Sequence, residues 1–234
     1  MPEPDPLAAG NVYQLRVVLR GVSPLIWRRL LVRSDSTIAD LHRALQIAFG
    51  WCGEHLHRFV IHGRMHGMES VVDARHVQLA GLGLRFRERF LYEYDFIDNW
   101  QHDVRLEQIL PLDSRRRYPV CIAGRRAAPP EDCGGPWAFL ELRQHYSIVT
   151  IADRMLALLS PLVADSRDDS DDHFGEADGD ADDEDGDQPD DHDDHDHAEE
   201  LLTLLRWLRI DSFDRRAVNQ QLAQDEMTVM RAVA

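Results

Sequence analysis

The chain has no lysine: all 26 basic residues among its 234 are arginine. A GC-rich genome, in which arginine codons are favoured, explains that bias, so it does not by itself signal bidentate recognition. Cysteine is scarce. Cys52, Cys121 and Cys133 are too few for a disulfide framework. No run reaches the roughly 18 to 20 apolar residues of a membrane span. The opening "MPEPDPLAAG" is acidic and proline-rich, unlike an export signal. These absences argue against a stapled secreted scaffold and a membrane partner, and lead to the expectation of a reducing cytoplasm.

What the chain has in excess is acid, and the acid is concentrated. From Asp165 to Glu200 there are twenty carboxylates and one arginine, a net −19, which leaves +3 elsewhere out of the chain's −16. A slightly basic body therefore carries a strongly acidic belt. With almost no apolar residues from 165 to 196, the belt is expected to be solvated and disordered. Its "DGDADDEDGDQPDD" does not register with a calcium-loop pattern. His192, His195 and His197 offer loose contacts to transition metals, and the belt has the charge to fold back on a basic surface and compete with nucleic acid.

Hydrophobic periodicity supplies the elements. Tyr13, Leu15, Val17 and Leu19 share one phase of a strand, with Gln14 and Arg16 opposite. After a break at Gly21 and Pro24, Ile26, Leu30 and Val32 continue as the second arm of a hairpin. Thr37 and Asp40 predict a capping box, Ile38, Leu41, Ala44, Leu45, Ala48 and Phe49 a helix face, and Gly50 its left-handed end. "HLHRFVIHG" reads as a strand. "RFLYEYDF" and the stretch with Trp100, His102, Val104 and Leu106 form a second hairpin with an aromatic face. Helices follow in "GGPWAFLELRQHY", opened by Pro136, and "IVTIADRMLALLSPL", stopped by Pro161. Two more are expected in "AEELLTLLRWLRI" and "FDRRAVNQQLAQ", the last capped by Ser212. This order predicts an α+β roll, a mainly antiparallel sheet with packed helices. The expected layout is a flexible 1–11, a core domain 12–164, the acidic insertion 165–196 and C-terminal helices 197–234 packing on the core.

Four ordered stretches, "VSPLIWRRLLV", "LHRALQIAFGWCGEHLHRFVIHG", "YEYDFIDNWQHDVRLEQIL" and "CIAGRRAAPPEDCGGPWAFLEL", resemble the plasmid pRi Orf-three-like family. A weaker echo lies in "DSFDRRAVNQQL". The resemblance implies an α+β roll and a setting on plasmids and insertion elements, with no activity to carry over. Some relatives bear a resolvase label, but Ser23, Ser34 and Ser36 lie in turn and cap contexts rather than among the arginines a serine recombinase needs. Where the family has glycine before its Asp–x–Trp turn, this chain has Ile97, which would be strained if that position required a positive φ.

Three groups of residues are candidates for function. His55, His57, Asp95, Asp98, His102, Glu131 and Asp132 offer the nitrogen and oxygen donors of an acid–base pair or a metal-assisted enzyme. "PPEDCGG" reads as a rigid approach to a helix whose carboxylates face the positive helix end. The spacing has no Cys-x-x-Cys knuckle or zincin pattern, so neither a structural metal nor a cofactor is expected. Arg28, Arg29, Arg85, Arg87, Arg89, Arg115, Arg116, Arg117, Arg125 and Arg126, with Trp27, Trp51 and Trp100, suggest a cationic aromatic surface for nucleic acid or a protein partner. Of the two readings, the binding module is favoured over the enzyme. The sequence leaves the oligomeric state open.

Overall fold

Alternating apolar residues build strands, and seven of them pair into one antiparallel sheet. A computed structural model of the chain describes residues 10–67, 75–165 and 192–233. The expectations for a flexible N-terminus and a disordered insertion fall largely outside those residues. The described elements are β1 (Asn11–Leu19), β2 (Trp27–Arg33), α1 (Ile38–Phe49), β3 (His57–Ile61), β4 (Arg64–Gly67), β5 (Arg89–Tyr94), β6 (Trp100–Pro111) and β7 (Val120–Arg125). Four helices follow: α2 (Gly135–His145), α3 (Ile148–Asp165), α4 (His192–Leu208) and α5 (Arg215–Val233). The strand order is β4-β3-β5-β6-β1-β2-β7. This is the α+β class the periodicity predicts.

The chain divides into two units, one reaching Leu142 and resuming at Ile210, the other Arg143–Arg209. In the first unit, one sheet face is apolar and fully buried: Tyr13, Leu15, Val17, Leu19, Phe59, Tyr92, Trp100, Val104 and Leu106. Helix α1 covers it with Ile38, Leu41, Ala44, Leu45, Ala48 and Phe49. Burial of each such side chain stabilises by about 1.5–3 kcal/mol. The capping box between Thr37 and Asp40 forms in both directions, and Gly50 ends α1 at φ 74°. Such a cap contributes about 1 kcal/mol.

Strands β4 and β7 go beyond the periodicity. Strand β7, "VCIAGR", has small residues where large ones would mark a strand, and Gly124 shows why. A Cβ there would collide with the Phe213 ring. The sheet edge at β7 is closed by one side chain from α5: Asn219 Oδ1 accepts from Cys121 N (2.8 Å) and its Nδ2 donates to Cys121 O (2.9 Å). That amide stands in for the next strand. Helix α5 is capped by Asp214, whose Oδ1 accepts from the amides of Arg216 and Ala217, and not by Ser212.

In the second unit α3 and α4 run antiparallel, tied by Arg154–Glu200 (2.6 Å) and by Tyr146 stacked on Trp207 at 5.0 Å. Helix α3 continues through Pro161 to Asp165, at the loss of the backbone bond that the missing N–H cannot make. Helix α4 begins at His192. No described helix is long and apolar enough to cross a membrane.

Candidate functional site

The "PPEDCGG" loop is held at four points. Trp51 Nε1 donates to Pro129 O (3.0 Å), and Cys52 N donates to Glu131 Oε2 (2.8 Å). Tyr94 OH donates to Glu131 Oε1 (2.6 Å), and Gly134 N to Asp98 Oδ2 (3.2 Å). Gly134 and Gly135 have φ of 88° and 80°, and a Cβ on Gly135 would strike the Asp98 carbonyl. The glycine pair is thus required by the backbone, and the loop is locked onto the β5–β6 turn. Burial, then the bond to the Glu131 carboxylate, pushes the Tyr94 phenol well above its ordinary pKa. It stays a donor at any physiological pH.

In that turn Asp95 (φ 54°) and Asn99 (φ 54°) take the left-handed conformation, as does Asp132 (φ 56°) across from them. Ile97 does not have a positive φ. It is 92% exposed, and the left-handed residues of the turn are Asp95 and Asn99, two positions to either side. Asp95 is 3% exposed, and its Oδ1 accepts from the amides of Ile97 (3.0 Å) and Asp98 (3.3 Å). Its Oδ2 faces His55 Nδ1 at 3.8 Å, while His55 Nε2 lies 3.4 Å from Asp132 Oδ1. One donor atom from each of His55, Asp95 and Asp132 falls within 4.8 Å of the other two.

The histidine and carboxylate candidates therefore separate. Asp95 and Asp132 meet at His55. Glu131 and Asp98 anchor the loop. His57 stacks on His42 of α1 at 3.5 Å, and burial lowers its pKa. His42 in turn contacts Tyr92 OH (2.9 Å), which also accepts from Gln46 Nε2 (2.6 Å). His102 is fully buried against Phe49, Trp51 and Tyr92, and burial pushes its pKa down to about 3. His57 and His102 are neutral parts of the aromatic core.

The arginines separate too. Arg28 is 2% exposed: its guanidinium donates to the carbonyls of Ala48 (2.7 Å), Trp27 (2.9 Å) and Arg125 (3.1 Å), between the rings of Phe49 and Phe213. Burial lowers its pKa to about 10, which leaves it charged. Arg126 bonds Asp211 (3.0 Å) and Leu25 O (3.2 Å). Arg115, Arg116 and Arg117 are exposed on the loop after β6, and Arg125 is exposed at the end of β7. Arg29 lies on the sheet face opposite α1, where strand register assembles what chain order conceals. Arg29 pairs with Arg16, Arg16 with Arg105, and Arg105 with Arg89. Four guanidiniums thus form one row across β2, β1, β6 and β5, about 14 Å long at about 4.8 Å per strand. Trp27 lies between the guanidiniums of Arg16 (5.3 Å) and Arg29 (5.4 Å). Glu107 holds Arg29 in a two-pronged pair (2.5 and 3.0 Å), and that bond raises the arginine pKa and lowers the carboxyl's. Among the described residues, no carboxylate comes within ion-pair distance of Arg16, Arg89 or Arg105. A hollow of about 470 Å³ opens beside the row, lined by Arg29, Arg105, Arg87 and Phe86 among others. Arg16 and Arg105 were missed as partners because only pairing across four strands brings them together.

A seven-stranded antiparallel sheet with one face under an N-terminal helix and the other bearing an arginine row defines an α+β protein of roll-like architecture. The chain belongs to the plasmid pRiA4b ORF-3-like protein family, whose model matches residues 11–153. It is 33% identical over 138 residues to the uncharacterized protein y4hQ of Sinorhizobium fredii (strain NBRC 101917 / NGR234), covering 56% of this chain and 71% of that protein. It is also similar to the crystal structure of a protein of unknown function, MM3350, from Methanosarcina mazei Go1. There the TM-score is 0.54 and the identity 34%, over 73% of this chain and 96% of that one.

Proposed function

We propose that the protein is a non-enzymatic interaction module that binds single-stranded nucleic acid on the arginine face of its sheet. The observation that carries this reading is the register of Arg29, Arg16, Arg105 and Arg89 on four adjacent strands. Like charges directly opposite one another destabilise a sheet, and a phosphate backbone laid across the row relieves that repulsion. Trp27, half-buried between two guanidiniums, and Phe86, 51% exposed beside the hollow, supply planar faces for bases. The plasmid setting of the family supports a nucleic-acid partner, and three free thiols support a reducing cytoplasm.

The test is fluorescence anisotropy of a labelled oligothymidylate against the full chain over a salt series. Arg89→Ala with Arg105→Ala should weaken binding tenfold or more and flatten the slope of log K against log salt by about 1.4, at about 0.7 per contact. Replacing Arg115, Arg116 and Arg117 together should leave both unchanged. An unaltered slope in the double variant, or loss of binding in the loop variant, overturns the proposal.

A further inference from the structure

We propose a second, separate site: His55, Asp95 and Asp132 bind one divalent ion of the zinc type. Two carboxylates flank one imidazole, Asp95 at Nδ1 and Asp132 at Nε2, and a cation held there would offset their mutual repulsion. The existing contacts do not supply a closed arrangement, since the His55 separations of 3.8 Å from Asp95 and 3.4 Å from Asp132 are long for hydrogen bonds that would saturate them. The Asp95 Oδ2 is the telling atom. The residue is 97% withdrawn from water by its 3% exposure, Oδ1 takes two backbone amides, and no donor among the described residues reaches Oδ2 within hydrogen-bond distance. An oxygen of a nearly buried carboxylate, left without a donor and turned towards a histidine, is a preformed ligand.

The donor set decides the metal class. One nitrogen and two carboxylate oxygens suit zinc, whereas calcium and magnesium prefer oxygen alone. Bonds of about 2.0–2.2 Å place donors about 3.4 Å apart around a tetrahedral ion. Asp95 faces Nδ1 and Asp132 faces Nε2, so the fixed Asp95 selects Nδ1, where its 3.8 Å is already close to that value; the rest of the closure falls to Asp132, whose side chain is 76% exposed and free to turn from the Nε2 side. Asp95 cannot move, because its turn is locked to the "PPEDCGG" loop through Asp98 and Gly134. Glu131 is excluded as a ligand by its bonds to Cys52 and Tyr94. Three protein ligands leave a fourth position for water or an oxygen donor of a substrate.

Calorimetric titration of zinc chloride into the full chain tests this, with His55→Gln, Asp132→Asn and Cys52→Ser checked for intact secondary structure by circular dichroism. The wild type should take up one tight equivalent above weak, multiple uptake by the carboxylates and histidines of the 165–200 stretch. His55→Gln should weaken that equivalent tenfold or more, Asp132→Asn should weaken it, and Cys52→Ser should leave it. Cobalt(II) in the same site should give d–d absorption without a thiolate charge-transfer band. Superimposable isotherms for wild type and His55→Gln overturn the site, as does loss of the tight equivalent in Cys52→Ser. A site occupied only by protonated His55 would show no tight equivalent and would equally end the proposal.

Discussion

Two rows of side chains cross the same four strands one residue apart, on opposite faces. On the covered face Arg28, Val17, Val104 and Phe90 lie in register; on the open face Arg29, Arg16, Arg105 and Arg89 do. Arg28 and Arg29 are neighbours in the chain and have opposite fates. The first has its hydrogen bonds made to carbonyls and its charge sandwiched between rings, so it works as a structural bolt. The second is on the open face, held by Glu107 at the end of a row of three further arginines. The pleat, not the residue type, decides whether an arginine is buried under α1 or presented on the open face.

Breaking the covered row should have the largest effect. Arg28→Ala removes three hydrogen bonds and two ring contacts and leaves buried carbonyls without donors. The expected loss is about 4 kcal/mol in urea unfolding followed by tryptophan fluorescence. The salt slope of nucleic-acid binding should not change in the folded fraction. A loss under about 1 kcal/mol would mean that the inner row tolerates an uncharged residue, and the contrast between the faces would weaken.

Next comes the loop that locks onto the turn after β5. Gly135→Ala forces a Cβ against the Asp98 carbonyl at a φ of 80°, and should destabilise by about 2–3 kcal/mol. Ala at Gly10, where the same substitution meets no atom within 4 Å although φ is 118°, separates backbone strain from collision. Equal losses at both positions would remove the close approach to Asp98 as the cause. This loop also marks how far sequence reading reaches. The capping box of α1, Gly50 and the two hairpins were legible because their signals are local, three or four residues apart or alternating. The row of arginines was not, since it needs the pairing of four strands. Grouping arginines by chain adjacency put Arg28 beside Arg29 and omitted Arg16 and Arg105. His55, Asp95 and Asp132 were legible as members of a larger histidine and carboxylate group, but with no spacing motif the sequence could not separate them from His57, Asp98, His102 and Glu131. Strand β7 was hidden by the glycine that makes room for Phe213.

The covered face has a pH dependence set by a histidine, whereas that of the open face comes from the lowered Glu107 carboxyl at more acid pH. The folded-state pKa of His102, at about 3, lies below its ordinary value of 6.5, so the unfolded chain binds the proton more readily. Its contribution to stability is complete above about pH 6.5 and is lost as pH falls from there towards 3. Between about pH 7 and pH 5 this one residue should cost about 2 kcal/mol. His102→Phe, which keeps an aromatic ring in place, should flatten the fall by that amount in urea midpoints taken across the window. An unchanged pH profile would show that the ring gains a proton acceptor on folding and is not simply excluded from water.

The smallest effect should have the opposite sign. Arg105 stands between Arg16 and Arg89, and Arg105→Gln removes repulsion from both register neighbours while keeping a long polar side chain. The variant should be more stable than the wild type by a few tenths of a kcal/mol. The gain should be greatest at low salt and vanish near 1 M, where the screening length falls to about 3 Å. Thermal melts at both salt concentrations check it. A loss of stability at low salt would mean that Asp103, which lines a second, smaller hollow with Arg16, Arg89 and Arg105, already satisfies the row. Adding oligothymidylate should reverse the order of the two melts, because a ligand that binds only the folded state raises stability in proportion to its affinity, and the wild type binds more tightly. With both outcomes, Arg105 would weaken the free fold and strengthen the complex, which is the mark of a binding residue.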